Sequence, residues 1–315
     1  MKMRFVSIFG VLLLAGCSAQ AAPAAAPAAA SVIGNCGRQL SVAAPPARAV
    51  AMEQNATEIL LSLGLADRMA GTSYQTDPVL PALAAAYARV PVLAKLYPSR
   101  EKVLETRPDF VYSTFTSAYA PDAAGPRAGL AELGIPAYLS RFACESSPET
   151  FSFDGLFQEI QEVASIFGAD SRGASLVADQ KARLAAATSR AHDAASVLWY
   201  YSGTSTPYVA GPGGVPAAIS AQLGLTNVYA DAGETWPAGN WEQIATRNPA
   251  WIVVADLSRG GDGDSAQSKI GFLRSNPVTA HLDAVKNGRF VVVPGSSLDP
   301  SVRNVSAVEL VGAAL

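Results

Sequence analysis

Aromatic, hydroxyl and charged side chains follow several of the predicted strands, and these residues could contact a ligand. Stacking on the rings and hydrogen bonds to the polar groups suit a sizeable, partly planar or aromatic small molecule. The forked donors of Arg141 and Arg259 could neutralise an anionic ligand. For each ring the alternative is core packing, and for each arginine an exposed surface position. The candidate ligand-binding residues are Glu53, Tyr74, Phe115, Tyr119, Arg141, Tyr201, Trp236 and Arg259.

Catalytic chemistry has little support in the residue types. The chain contains only two histidines, His192 and His281, and no G-x-S-x-G pattern. A transition-metal site usually needs several imidazoles, and residues 211–214 lack both Rossmann and P-loop glycine spacing. We therefore expect no catalytic residue, no bound metal and no cofactor. The alternative from another class is a secreted enzyme that uses carboxylates such as Glu53 or Glu234.

A short pattern occurs once in each half of the chain. Residues 101–111 read EKVLETRPDFV and residues 242–252 read EQIATRNPAWI, with glutamate, proline and the following apolar residues at the same offsets. Each copy predicts a helix that ends at proline and leads directly into a buried strand. The helix dipole alone explains each first-turn glutamate, Glu101 and Glu242. Two such carboxylates could also dock on two basic pockets of a symmetric partner.

The elements that would position these residues alternate between strands and helices. Residues 169–196 predict one long helix, with Asp170 or Ser171 as its cap and no proline inside it. At ~1.5 Å per residue it would span about 40 Å and link two lobes. The alternation in each half predicts an α/β fold with parallel sheets, whose ligands bind beyond the carboxyl ends of the strands. Asn55 and Glu58 predict the N-cap and capping box of an early helix.

Residues 1–17 predict a signal peptide, because Lys2 and Arg4 precede a short apolar run and small residues before Cys17. The position of Cys17 resembles the lipobox of bacterial lipoproteins, which implies cleavage before Cys17 and lipid attachment to its thiol. An ordinary signal peptide with a coincidental cysteine is the alternative. The Ala- and Pro-rich residues 18–31 predict an extended tether.

Composition limits the function further. Loss of Lys2 and Arg4 from the 23 basic residues leaves 21 against 26 acidic residues, so the chain has no basic field for nucleic acid. Half of the residues are apolar, and nearly 300 mature residues suit two domains. No later apolar run is long enough to span a membrane. We predict an N-terminal lobe over 32–168, a connecting helix over 169–195 and a C-terminal lobe over 196–315.

Two cysteines remain after Cys17, namely Cys36 and Cys144. In an oxidising compartment such a pair most simply forms a disulfide, here one that ties the N-terminal arm to the end of the first lobe. Two free buried thiols are the alternative. A metal site would need ligands that the sequence does not supply nearby.

The lipobox, residues 47–71 (ARAVAMEQNATEILLSLGLADRMAG) and residues 101–111 and 242–253 together resemble the substrate-binding proteins of ABC importers for iron-siderophores, haem and cobalamin, the class III periplasmic binding proteins. The resemblance covers nearly the whole mature chain. It implies two Rossmann-like lobes joined by a single long helix, with limited closure on the ligand. It also implies one docking glutamate per lobe, Glu101 and Glu242, that contacts arginines of the permease dimer.

We therefore expect an extracytoplasmic, lipid-anchored solute receptor that binds a ferric siderophore or similar metal chelate between its lobes. It would be a monomer, attached to the membrane through its N-terminal lipid. Cobalamin, haem or another aromatic cofactor precursor is the alternative ligand class; for haem, only a tyrosine such as Tyr74, Tyr119 or Tyr201 could hold the iron. A structural or adhesive surface lipoprotein is a third interpretation of the sequence. Trp236 and Trp241 are expected near the mouth of the cleft.

Overall fold

The computed structural model describes residues 31–146, 150–189 and 194–315. The predicted signal peptide with Cys17, residues 18–30 of the predicted tether, and His192 lie outside these ranges. The first described element is an antiparallel hairpin of β1 (Ser31–Asn35) and β2 (Arg38–Val42), which the sequence analysis did not predict. Cys36 and Gly37 form its two-residue turn with φ angles of 51° and 72°, as a type I′ turn requires.

The first lobe contains a five-stranded, entirely parallel sheet in the order β5-β4-β3-β6-β7. Every residue of its two central strands, AVA and FVYS, is buried, as expected for strands covered on both faces. The strands are β3 (Ala49–Ala51), β4 (Met69–Ser73), β5 (Val92–Ala94), β6 (Phe110–Ser113) and β7 (Ala137–Leu139). The first four helices are α1 (Gln54–Ser62), α2 (Ala84–Tyr87), α3 (Arg100–Glu105) and α4 (Arg127–Glu132).

The second lobe contains a parallel sheet in the order β10-β8-β11-β12, with β9 antiparallel to β8. β10 pairs with the start of β8 and β9 with its end, so the two short strands share one edge. The strands are β8 (Ser196–Ser202), β9 (Tyr208–Val209), β10 (Thr226–Asn227), β11 (Trp251–Asp256) and β12 (Phe290–Pro294). The helices are α7 (Val215–Gln222), α8 (Trp241–Arg247), α9 (Ala266–Ser275), α10 (Asp283–Lys286) and α11 (Asn304–Ala314).

The short repeated pattern gives the same local structure in both lobes. Helices α3 and α8 both end just before a non-glycine residue with positive φ, Arg107 at 48° and Asn248 at 39°. Each of these residues directly precedes a proline, which disfavours a further helical turn. The buried strands β6 and β11 then begin two residues after Pro108 and Pro249. The predicted sequence of helix, proline and strand is confirmed in each lobe.

Helix α5 (Phe153–Ile166) completes the first lobe and α6 (Asp170–Thr188) leads to the second. α6 packs against α5 on one side and α11 on the other, so it links the lobes. It has 19 residues and ends before the predicted boundary at 196. At its end the Thr188 hydroxyl donates to the Leu184 carbonyl and the Ser189 hydroxyl to Ala186, polar side-chain bonds that compete with helix continuation.

The apolar core does not stop at the boundary between the lobes. One continuous cluster of buried side chains includes Leu60 and Phe157 of the first lobe, Val177 of α6, and Val253 and Val308 of the second lobe. Such a shared core resists separation of the lobes, because opening it would expose packed apolar surface to water.

A buried ion pair also crosses the lobe boundary. Glu58 of α1 is fully buried and Arg303, just before α11, is 4% exposed. The guanidinium donates to the carboxylate through two nitrogens, at 2.6 and 2.5 Å, and to the Pro78 carbonyl at 2.7 Å. Beside it, the Ser296 N–H donates to the Asp77 carboxylate at 2.8 Å. These contacts fix the angle between the lobes by directional bonds.

A disulfide joins Cys36 to Cys144 across 108 residues. It ties the turn of the N-terminal hairpin to the segment that follows β7. Within the described residues, none of the helices combines the length and the apolar character needed to cross a membrane.

Candidate functional site

A cavity of about 530 Å³ lies at the carboxyl ends of the strands of both sheets. In the first lobe, the cavity is lined by the loops that follow β3, β4, β5 and β6. In the second lobe, it is lined by the end of β8 and by the loops that follow β11 and β12. Its volume is within the usual range of small-molecule sites, roughly 300 to 1,000 Å³. Six of the predicted ligand-binding residues line it: Glu53, Tyr74, Phe115, Tyr201, Trp236 and Arg259.

Two other predicted ligand-binding residues, and one of the predicted tryptophans, lie outside this cavity. Tyr119 is buried, and its hydroxyl donates to the Tyr138 carbonyl at 2.6 Å. Arg141 forms an ion pair with Glu162 at 2.8 Å. Trp241 is 7% exposed, and its indole N–H donates to a backbone carbonyl of the second lobe at 2.6 Å. Structural contacts therefore occupy the polar groups of all three.

The cavity also contains residues that the sequence analysis did not select, among them Asn55, Tyr97 and Asp299. Tyr97 follows β5, a three-residue strand with little burial and no alternation to predict it. Asp299 follows β12 and stands before a proline, so it reads as part of a turn. The rule that ligands bind beyond strand carboxyl ends would have selected Asp299 once β12 was assigned.

The first-lobe wall depends on an unusual backbone position at Tyr74. This residue follows β4 with φ at 47°, a left-handed conformation that is rare for residues other than glycine, asparagine and aspartate. Such strain often accompanies functional sites. The next residue, Gln75, holds the turn because its amide donates to the Ser73 carbonyl at 2.7 Å. The Tyr74 ring meets Tyr97 edge-on, with 4.8 Å between ring centroids.

The second-lobe wall is an aromatic cluster of Tyr201, Tyr208 and Trp236. Tyr208 and Trp236 are nearly parallel, with 17° between their planes and 5.9 Å between centroids. Tyr201 lies 5.1 Å from Trp236 at a tilted angle. Together with the rings of the first lobe, these side chains offer several apolar faces to a ligand.

Glu53 lines the cavity, and its carboxylate also accepts hydrogen bonds from the backbone. It is the N-cap of α1, and its carboxylate accepts from Asn55 N–H at 2.7 Å, Ala56 N–H at 3.1 Å and Thr114 N–H at 2.7 Å. Burial raises the pKa of Glu53, against the opposing effect of these backbone hydrogen bonds. The prediction of Asn55 as N-cap is wrong by two residues. The predicted capping box is also wrong, since Glu58 forms the interlobe ion pair instead.

The charge of Arg259 is already compensated. Its guanidinium donates to the Asp264 carboxylate at 2.8 Å, and the same carboxylate accepts from Gly261 N–H at 2.7 Å. The guanidinium also lies over the Tyr201 ring, 5.5 Å from its centroid. Arg259 therefore presents a paired cation to the cavity, held against an aromatic wall.

The described part of the chain contains no group of three or more His, Cys, Asp or Glu side chains that could hold a metal ion. Burial raises the pKa of Tyr201, which disfavours the phenolate that iron ligation needs. The arrangement can stack, hydrogen-bond and enclose a small molecule.

The two predicted docking glutamates occupy matching places in the lobes. Glu101 and Glu242 are each the second residue of their helix, α3 and α8, and both are exposed. Each helix connects two parallel strands, so its N-terminus lies at the carboxyl edge of the sheet, the edge that carries the cavity. Hydrogen bonds, first from its own backbone N–H and then from Ser99, lower the pKa of Glu101.

Known proteins resemble this chain both in sequence and in fold. The sequence profile of a family described as periplasmic binding protein matches residues 50–296. A vitamin B12-binding protein of Vibrio parahaemolyticus is 24% identical over 237 residues, 74% of this chain and 80% of the relative. A periplasmic binding protein from Veillonella parvula superimposes with a TM-score of 0.80 and 29% identity, over 91% of this chain and 97% of the other. An ABC-type Fe³⁺-hydroxamate transport system protein from Saccharomonospora viridis gives 0.76 and 22%, over 90% and 98%.

Proposed function

Because the chain belongs to the periplasmic binding protein family, we propose that it captures a ferric siderophore or similar metal chelate outside the cytoplasm and delivers it to an ABC permease. Members of this family act as binding proteins rather than enzymes, so the chain is not an enzyme. This excludes the alternative of a secreted enzyme that uses Glu53 or Glu234.

The observation that supports this ligand class is the cavity between the lobes. Its wall combines rings from both lobes with a few polar groups. A metal chelate presents a compact, largely apolar envelope with carbonyl and amide groups at its surface. Aromatic faces with a small number of hydrogen-bonding groups suit such an envelope better than a small polar metabolite, which would need more polar partners.

Tryptophan fluorescence tests the proposal, because Trp236 lines the cavity and Trp241 does not. Protein without its first 31 residues is titrated with ferric trihydroxamates, ferric catecholates, haem, cobinamide and cobalamin. We expect saturable quenching by one chelate class, retained in Trp241→Phe and largely lost in Trp236→Phe. Calorimetry on Trp236→Phe then establishes whether binding persists without the reporter. Absence of binding to every ferric chelate in both assays would contradict the proposal.

A corrinoid is the second candidate ligand, and the Vibrio parahaemolyticus relative is the observation that favours it. The same titration separates the two candidates. Saturable binding of cobinamide or cobalamin, with no response to the ferric chelates, would assign the cavity to corrinoids.

Docking of the receptor on the permease is proposed to use Glu101 and Glu242. Their support is the matched position on α3 and α8, the exposure of both carboxylates and the location at the edge that carries the cavity. A twofold permease with one basic pocket per subunit would meet one carboxylate from each lobe.

Residues 1–17 are proposed as a lipoprotein signal peptide, and the predicted tether after them, up to the start of β1 at Ser31, would connect a lipid on Cys17 to the folded lobes. The composition of both segments supports this assignment. Cys17→Ala should release the protein from the membrane fraction and abolish its labelling by palmitate. Unchanged labelling of the variant would exclude Cys17 as the lipid site.

A further inference from the structure

The charged groups in the cavity wall are unevenly balanced. Glu53, Arg259 and Asp299 line the cavity, but the Arg259 guanidinium is paired with the Asp264 carboxylate at 2.8 Å. Carboxylates therefore outnumber the available positive charge around the ligand.

Asp299 is the cavity-lining residue whose carboxylate is available to a ligand. Within the described residues its carboxylate has no hydrogen bond or ion pair, although its backbone is fixed by the Asn304 amide, which donates to the Asp299 carbonyl at 2.8 Å. The Asn304 amide also donates to the Ser297 carbonyl at 2.9 Å, so the turn before Asp299 is held at two points. The carboxylate is thus pre-positioned at the cavity wall.

We propose that the ligand presents a cationic group to Asp299, so that the receptor selects cationic over anionic metal chelates. This inference rests on the proposed function and specifies its substrate class. Aromatic faces also favour a cation near them, and the cavity has rings on both sides. A chelate with free carboxylates, such as haem with its propionates, would bring negative charge towards Asp299 and Glu53.

A series of three ferric chelates with one common core tests the inference. The core is a linear trihydroxamate, which is neutral around Fe³⁺. A terminal ammonium gives it a net charge of about +1, N-acetylation about 0 and N-succinylation about −1. Burial, then the nearby Glu53 charge, raises the pKa of Asp299 to about 7, so calorimetric titrations are run near pH 8 where its carboxylate is ionised.

Wild-type protein should bind the ammonium chelate about tenfold or more tightly than the succinylated one, with the acetylated chelate between them. Asp299→Asn should remove most of that preference, so that the ammonium and succinylated chelates bind with similar affinity. Glu234→Gln is the matched control, since Glu234 is an exposed carboxylate outside the cavity wall, and it should keep the wild-type order.

Two outcomes would overturn the inference, and they differ in what they say of the proposed function. Equal affinity of wild-type protein for all three chelates, or tighter binding of the succinylated one, overturns the charge selection and leaves the binding function in place. Failure of all three to bind overturns the inference together with ferric trihydroxamate capture. The comparison within wild-type protein needs no variant to fold.

Discussion

Glu159 of α5 is a fully buried carboxyl group whose protonation affects the stability of the first lobe. It accepts from the Ser140 hydroxyl at 2.8 Å, the Arg141 N–H at 3.1 Å and the Tyr112 hydroxyl at 3.1 Å. Burial nevertheless dominates and raises its pKa from 4.5 to about 7. The folded state therefore holds a proton that the unfolded state has already lost between these two pH values.

Glu159→Gln should flatten the dependence of stability on pH. In wild-type protein the free energy of unfolding should fall as pH rises from about 4.5 to about 7, by roughly 3 kcal/mol at most, because folding favours the protonated form. The uncharged glutamine removes the Glu159 contribution to this slope, and the contribution of Asp299, whose pKa burial also raises to about 7, remains. Denaturant unfolding at several pH values measures it, with the exposed Asp154→Asn on the same helix as the control. An unchanged slope in Glu159→Gln would show that this residue does not titrate in that range.

At the residue scale, local sequence identifies the right kinds of side chain more easily than their contacts. Tyr119 and Tyr74 both follow predicted strands, yet only Tyr74 lines the cavity, since the Tyr119 hydroxyl is used by a backbone carbonyl. Asn55 was the predicted N-cap of α1, and Glu53, two residues earlier, is the N-cap in the structure. The exit of the chain from β3 decides between them, and this depends on tertiary structure.

At the scale of single elements, the first turns of α3 and α8 allow a direct test of docking. Glu101→Lys with Glu242→Lys should abolish solute uptake in cells and leave solute affinity within about twofold, since both side chains are exposed and neither lines the cavity. The reversed charges would face basic pockets and repel them.

The matched control reverses two other exposed glutamates of the first lobe, Glu105 and Glu132. This double variant carries the same change in net charge and should keep uptake close to wild type. Uptake at the wild-type level in the Glu101→Lys, Glu242→Lys protein would exclude these two residues as docking contacts.

Elements with a strong period or clear end signals were predictable, and short or edge elements were not. The repeated pattern correctly predicts a helix and strand in each lobe because proline and apolar runs act locally. The hairpin β1–β2 was not predicted, and its residues were expected to form an N-terminal arm. Strand β5 lies at the edge of its sheet and has only three residues, with little burial and no alternation to predict it.

At the scale of the whole molecule, the Glu58–Arg303 pair holds the lobes together where no solvent screens it. Arg303→Met should lower the free energy of unfolding by about 3 to 5 kcal/mol, because it leaves a buried carboxylate without its partner. Denaturant unfolding measures this, and Arg303→Met with Glu58→Leu should recover much of the loss.

The exposed pair Arg89–Asp67 is the internal control for that prediction. Its side chains are 58% and 80% exposed, so Arg89→Met should cost less than about 1 kcal/mol. A similar loss of unfolding free energy in Arg303→Met and Arg89→Met would show that burial does not increase the contribution of the Glu58–Arg303 pair to stability.

The two-lobed α/β architecture was predictable from alternation and from the family resemblance, whereas the contacts between lobes were not. Glu58 and Arg303 are 245 residues apart in sequence. In the sequence, Glu58 predicted only a capping box for α1, and nothing near Arg303 pointed to a distant carboxylate. Their pairing depends on how two sheets and α6 are arranged in space, and no local pattern encodes that arrangement.

The disulfide also determines how the molecule carries mechanical load. A pulling force applied at the N-terminus enters the fold along β1 and reaches Cys36 within the hairpin turn. From there the covalent bridge transmits tension to Cys144, after β7, and bypasses the chain segment that includes β3, β4 and β6. Most of the first-lobe side of the cavity is built on those three strands. Tension applied at the N-terminus would therefore leave that wall unloaded.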